Sequence, residues 1–149
     1  MRMILKSLLP AAGFILCISC TNTNNRQELA RDEIRRAEKD FEKMAAEKGI
    51  AEAFYFFADT SAVIKRENDT LISGRDAIRN YYSADYFKSA SVKWSPDFTD
   101  ASEDGKWGYT YGKYIWQSKD STGNIHETTG VFHTVWKKQK DGTWKYTWD

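Results

Sequence analysis

Trp107-Gly108-Tyr109-Thr110-Tyr111-Gly112-Lys113-Tyr114-Ile115-Trp116 is the stretch that decides the fold. Trp107, Tyr109 and Tyr111 alternate, and Tyr114 and Trp116 take up the opposite phase. Alternation of aromatic and β-branched residues at a period of two marks a strand that packs a face. The pattern repeats downstream in Phe132, Thr134 and Trp136, then in Trp144, Tyr146 and Trp148. Three strands in succession are expected: 107–119, 125–138 and 144–148. Aromatics in both phases of the first strand predict that both sheet faces are covered, which fits a homodimer formed through the sheet face.

Turn residues separate these strands. Glu103-Asp104-Gly105-Lys106, Asp120 to Asn124 and Lys140-Asp141-Gly142-Thr143 carry the Asp, Asn and Gly that tight connections need. A further strand precedes them over Ser91 to Phe98, where Pro96 predicts an edge or a bulge. Gly108, Gly112 and Gly130 fall inside strand patterns, as expected of a strongly curved sheet.

Upstream the period changes. Leu29, Ile34, Ala37, Phe41, Met44 and Ala45 predict a helix over Arg26 to Lys48 with one apolar face. Its other residues, including the like-charged pairs Glu28–Asp32 and Glu38–Glu42, read as a solvated face. Gly49 ends this helix. A second helix is expected from Ile50 to Ala58, buried on most sides by Phe54, Tyr55, Phe56 and Phe57. A hairpin then runs from Ser61 to Arg66, turns at Asn68-Asp69 and returns through Leu71-Ile72. A third helix follows Gly74, from Arg75 to about Ser83. Helices first and antiparallel strands last give an α+β class: three N-terminal helices packed on a strongly curved antiparallel sheet. The 149 residues suit one domain, placed at 26–149.

Residues 1–19 read as a leader. Arg2 and Lys6 precede the apolar run Leu8 to Ile18, and Cys17-Ile18-Ser19-Cys20 supplies small residues before a cysteine. The run is too short for a membrane span. Its end resembles a bacterial lipobox, although Cys17 stands where leucine is usual. The resemblance implies that Cys20 is the lipidated first residue of the mature chain, with 20–25 as a polar tether. It also implies a periplasm-facing lipoprotein of the bacterial cell envelope, held to a membrane through Cys20. Loss of Cys17 with the leader leaves Cys20 alone, so no disulfide is expected despite an oxidising compartment.

A net charge of +1 suggests no polyanionic partner and no nucleic-acid binding, and Lys137-Lys138-Gln139-Lys140 reads as a strand end entering a turn. His126 and His133 are opposite in strand phase with no third ligand at metal spacing, so no metal is expected. Nucleophile elbow, phosphate loop and CxxC pair are absent from the sequence, and no cofactor is expected.

The order of elements, with Phe57-Ala58-Asp59, Gly74-Arg75-Asp76-Ala77-Ile78, Gly108-Tyr109-Thr110-Tyr111-Gly112, Thr134-Val135-Trp136-Lys137-Lys138 and Asp141-Gly142-Thr143-Trp144-Lys145, resembles the nuclear-transport-factor-2-like superfamily. It is most similar to the SnoaL-like branch, in the group called domain of unknown function 4440. The resemblance spans Arg26 to Asp149 and implies a cone-shaped, cystatin-like α+β barrel enclosing a pocket, with dimers through the open sheet face. Ketosteroid isomerases of this superfamily use a carboxylate base at the end of the first strand. Here Lys65-Arg66 stand at that place, and Phe41 stands near the usual tyrosine donor, which argues against isomerase chemistry. A cation at Arg66 suits a carboxylate or other anion instead. Asp59 reads as a turn or capping residue.

The expected pocket residues are Arg66, Tyr82, Trp94, Tyr109, Tyr111 and His133, with His133 the one candidate acid or base. The aromatics among them would serve equally as core. The expected function is a lipid-anchored envelope domain whose apolar pocket binds a small apolar or weakly anionic molecule without catalysis. The alternatives are an isomerase- or cyclase-type enzyme with a relocated acid or base, and a dimerising structural module with a filled cone.

Overall fold

The computed structural model describes residues 19–149, with side chains from residue 25 onward. All of the expected leader (1–19) except Ser19, together with the Cys20 side chain, therefore lies outside the described residues. Helix α1 runs Ser19–Lys48, earlier than the expected Arg26. Once a turn is nucleated, adding residues to its end costs little, so the expected tether stretch carries helical backbone. At 1.5 Å per residue α1 is about 45 Å long. Among the described residues no helix is long and apolar enough to cross a membrane.

The buried row of α1 is Ala30, Ile34, Glu38, Phe41 and Ala45, a run of three- and four-residue steps. Leu29, assigned to that face from sequence, is half exposed at 51%. Glu38, assigned to the solvated face, is 1% exposed. It stands four residues after Ile34 and three before Phe41, so helical spacing carries it into the stripe.

Gly49 breaks the chain at φ 90°, and α2 (Ile50–Phe57) turns back over the sheet. Strand β1 (Ala58–Arg66), a short turn at Glu67–Asp69 and β2 (Thr70–Ser73) form the expected hairpin. Helix α3 (Arg75–Tyr82) buries Ile78 and Tyr82. A four-residue helix, α4 (Asp85–Lys88), was not legible in the sequence, because a single turn has no period to read. Strands β3 (Ser91–Ala101), β4 (Trp107–Lys119), β5 (Ile125–Lys138) and β6 (Trp144–Trp148) complete the chain. The last three match their expected spans.

The six strands form one unclosed, curved sheet in the order β2-β1-β6-β5-β4-β3. All pairs are antiparallel except β1–β6, where the final strand returns beside the first. Parallel neighbours need a long crossover connection, which the helices and the meander between β1 and β6 supply. Lys65 N–H donates to the Asp149 carbonyl at 2.8 Å, and Asp149 N–H donates to the Val63 carbonyl at 3.1 Å. The helices cover one face, called inner here.

Pro96 does mark a bulge, for the β3–β4 register shifts between Pro96 and Phe98. One extra residue reverses the phase of β3, so Val92 and Trp94 point inward before it while Phe98 points outward after it. Phe98 stacks on Tyr111 at 5.2 Å between ring centres. Gly108 is the place where α1 closes on the sheet. A β-carbon there would overlap the Ile34 side chain and come within 2.6 Å of the Asp100 carbonyl oxygen.

Candidate functional site

Between α2, α3 and α4 on one side and the inner faces of β3, β4 and β5 on the other lies a cavity of about 770 Å³. Its walls are aromatic: Phe41, Phe54, Tyr81, Tyr82, Phe87, Trp94, Tyr114, Trp116, Phe132 and Trp148. The phase of β4 explains the outer wall. Tyr114 and Trp116 share the inward phase with Gly108, Thr110 and Gly112. Gly130, opposite Tyr114 in β5, leaves room for that ring, since a β-carbon at Gly130 would lie 2.5 Å from the Tyr114 hydroxyl oxygen.

One end of the cavity is polar. Arg66, at the end of β1, donates from Nε to the Tyr82 hydroxyl at 2.6 Å. Its Nη2 donates to Asp149 Oδ1 at 2.8 Å. Thr134 donates its hydroxyl to Asp149 Oδ2 at 3.0 Å, so both carboxylate oxygens are engaged. The guanidinium also lies 5.6 Å from the Phe54 ring and 5.4 Å from the Tyr82 ring. Burial opposes the charge on Arg66, but Tyr82 and Asp149 outweigh it and hold the guanidinium above its ordinary range. Burial pushes the Tyr82 hydroxyl well above the ordinary phenol range, so it stays protonated. Arg66 is thus not a free cation awaiting an anion; Asp149 already neutralises it.

A second polar centre sits behind the cavity wall. Glu38 Oε2 accepts the Trp94 indole N–H at 2.8 Å, and Oε1 accepts the Trp136 indole N–H at 2.9 Å and the Thr110 hydroxyl. All three donors are neutral, and among the described residues no lysine or arginine forms an ion pair with this carboxyl. Burial pushes the Glu38 carboxyl above its ordinary value of 4.5, partly offset by these hydrogen bonds.

Three of the residues expected from sequence, Arg66, Tyr82 and Trp94, meet at this cavity. Tyr109 and Tyr111 do not. They take the outward phase of β4 and are 37% and 41% exposed. His133 is among the residues that border the cavity. Because His133 pairs directly with Tyr111, its side chain shares the outer face, where it is exposed and 5.9 Å from the Tyr109 ring. It is not placed to serve the cavity as an acid or base. Asp59 accepts from Ser61 N–H at 3.1 Å and Gln139 Nε2 at 3.1 Å, pinning the irregularity between β1 and β6. His126 pairs with Asp120 at 3.0 Å in the β4–β5 turn. Among the described residues no group of three or more His, Cys, Asp or Glu is disposed for a metal ion.

Sequence reasoning missed Glu38 and Asp149. Glu38 was recoverable from its spacing within the α1 stripe. Asp149 carried no signal, since only the parallel return of β6 brings it beside Arg66.

No family model matches the chain, and no curated protein matches it in sequence. Solved structures do match in shape. An NTF2-like protein with a cystatin-like fold from Novosphingobium aromaticivorans superposes with a TM-score of 0.69 at 14% identity, over 90% of this chain and 88% of that one. A ketosteroid isomerase-like protein from Erwinia carotovora atroseptica gives 0.62 at 13% identity, over 76% and 88%. The association domain of C. elegans CaMKII gives 0.63 at 16% identity, over 84% and 96%. At these identities the likeness establishes the fold, which is NTF2-like and cystatin-like.

Proposed function

We propose that this chain is a SnoaL-like domain of the unknown-function 4440 type that binds a small, largely apolar molecule in its cavity without transforming it. The observation that carries the reading is the cavity of about 770 Å³, aromatic along its walls and polar at the Arg66–Tyr82–Asp149 end. Apolar walls with a few convergent polar groups are the usual form of a small-molecule site. Catalysis by proton transfer needs an acid or base free to meet the ligand. Asp149 is occupied on both oxygens, Glu38 is occupied by two indoles and a hydroxyl, and the His133 ring faces outward.

The sequence of the leader supports lipidation at Cys20 and a periplasm-facing position on a bacterial envelope membrane. The partner at the outer sheet face is a second copy of the chain. Phe98, Trp107, Tyr109, Tyr111 and Ile115 stand exposed side by side there, and the association domain of C. elegans CaMKII is among the proteins of like shape. Native mass spectrometry of the protein purified gently from its own host tests the binding reading. A retained small molecule is expected. A protein that carries none and takes up no apolar probe would favour a structural module with a filled cone.

A further inference from the structure

The cavity's charge balance says what its occupant must be. Resting on the binding reading above, we propose that the cavity selects neutral ring-shaped molecules bearing a hydrogen-bond acceptor oxygen, with the Tyr82 hydroxyl as donor and Asp149 as the residue that excludes anions.

Four charged residues border the cavity: Lys65, Arg66, Glu67 and Asp149. Lys65 is paired with Asp69 at 2.6 Å, and both side chains are largely exposed. Arg66 is the only one of the two cations that is largely buried, with 19% of its side chain exposed, and its charge meets Asp149, 14% exposed, at 2.8 Å. An anion entering here would gain Arg66 but meet the Asp149 carboxylate on the same guanidinium. Like charges in a dry site repel strongly, so the pair rejects what a lone arginine would attract.

Tyr82 supplies the attraction instead. Its oxygen accepts Arg66 Nε–H, so its own proton is left to donate, and among the described residues no acceptor is hydrogen-bonded to it. A hydroxyl whose oxygen accepts from a cation is a stronger donor than a free phenol. The ring is 4% exposed and stands among Phe54, Phe87 and Tyr81, so a carbonyl meeting this proton would do so away from water. The aromatic walls give such a ligand flat faces to stack on.

The test uses three probes with one ring system: acetylnaphthalene, naphthoate and naphthalene. Each is titrated into the full-length protein by quenching of its tryptophan fluorescence. The wild type is expected to hold acetylnaphthalene about 10-fold tighter than naphthalene, and naphthoate no tighter than naphthalene. Tyr82→Phe is expected to erase the ketone's advantage. Asp149→Asn is expected to turn the preference over, with naphthoate gaining about 10-fold, because Arg66 loses its counter-charge. Circular dichroism checks that each variant is folded, and if Tyr82→Phe is not, the Asp149→Asn reversal decides alone. Tight binding of naphthoate by the wild type, or equal binding of all three probes, overturns this inference and leaves the cavity reading intact. A folded wild type that binds none of the three overturns the cavity reading as well.

Discussion

Glu38 on α1 accepts the indole N–H of Trp136 on β5 at 2.9 Å, across 98 residues of sequence. With Trp94 and Thr110 it ties the helix to β3, β4 and β5 through one carboxyl group. Among the described residues the one alternative side-chain acceptor for these donors is the Thr110 hydroxyl, at a longer 3.4 Å from the Trp136 indole nitrogen, so the carboxyl is the keystone between helix and sheet.

Removing it has a definite cost. Glu38→Ala leaves two indole N–H groups and a hydroxyl unpaired in the core and is expected to destabilise the fold by about 3 kcal/mol. Glu38→Gln keeps the volume and one acceptor oxygen and should lose less. Urea denaturation of both variants checks this; equal stability of Glu38→Ala and wild type would sink it.

The same group gives a pH dependence of unusual sign. An acid whose folded value is raised binds more protons when folded than when unfolded. Its contribution is fully present below the unfolded value of 4.5 and is lost as pH rises through the raised folded value. Asp59, Glu33 and Asp100 work the other way, since hydrogen bonds and ion pairs hold them below their ordinary values. The informative quantity is therefore the stability of wild type minus that of Glu38→Gln. It should fall as pH rises above 4.5, and a flat difference from there to neutral pH would contradict the assignment.

Gly108 is expected to be intolerant of any side chain. Gly108→Ala drives a methyl group into Ile34 and towards the Asp100 carbonyl, an overpacking that costs about 1–3 kcal/mol. Gly142, with open space around its position, should tolerate alanine better in packing terms, although its φ of 87° adds backbone strain. Thermal melts of Gly108→Ala beside wild type measure the first effect.

The outer sheet face yields an association prediction. Tyr111→Glu places a charge where Phe98 and Tyr111 stack, without touching the core. If a second copy covers this face, light scattering should find the wild type dimeric and the variant monomeric, with similar melting temperatures. A monomeric wild type would remove the dimer from the proposal.

Lipidation is checked directly. Cys20→Ala is expected to move the protein from the membrane fraction to the soluble fraction of its host and to abolish incorporation of labelled fatty acid. Membrane retention by the variant would point to the apolar leader as the anchor instead.

Most of the fold was legible because its strands are long and periodic. Trp107–Lys119, Ile125–Lys138 and Trp144–Trp148 follow the period-two pattern, and Pro96 announced the bulge. Gly49 and the hairpin after Ser61 were equally local signals. The α1 face was misread at Leu29 and Glu38 because a carboxyl was assigned to solvent by type, when helical spacing placed it inside.

The sequence by itself determined the order of the longer elements, the α+β class and which residues share a side of each regular strand, because these depend on neighbours a few positions apart. Only the tertiary structure decided which side became the cavity. Tyr109, Tyr111 and His133 went outward because the helices settled on the other face of β4 and β5, a choice that alternation alone leaves open. Only the parallel return of β6 brought Asp149 to Arg66, turning a lone cation into a neutral pair. Contacts between residues far apart in the chain are set by how whole faces pack, and no local pattern carries that information.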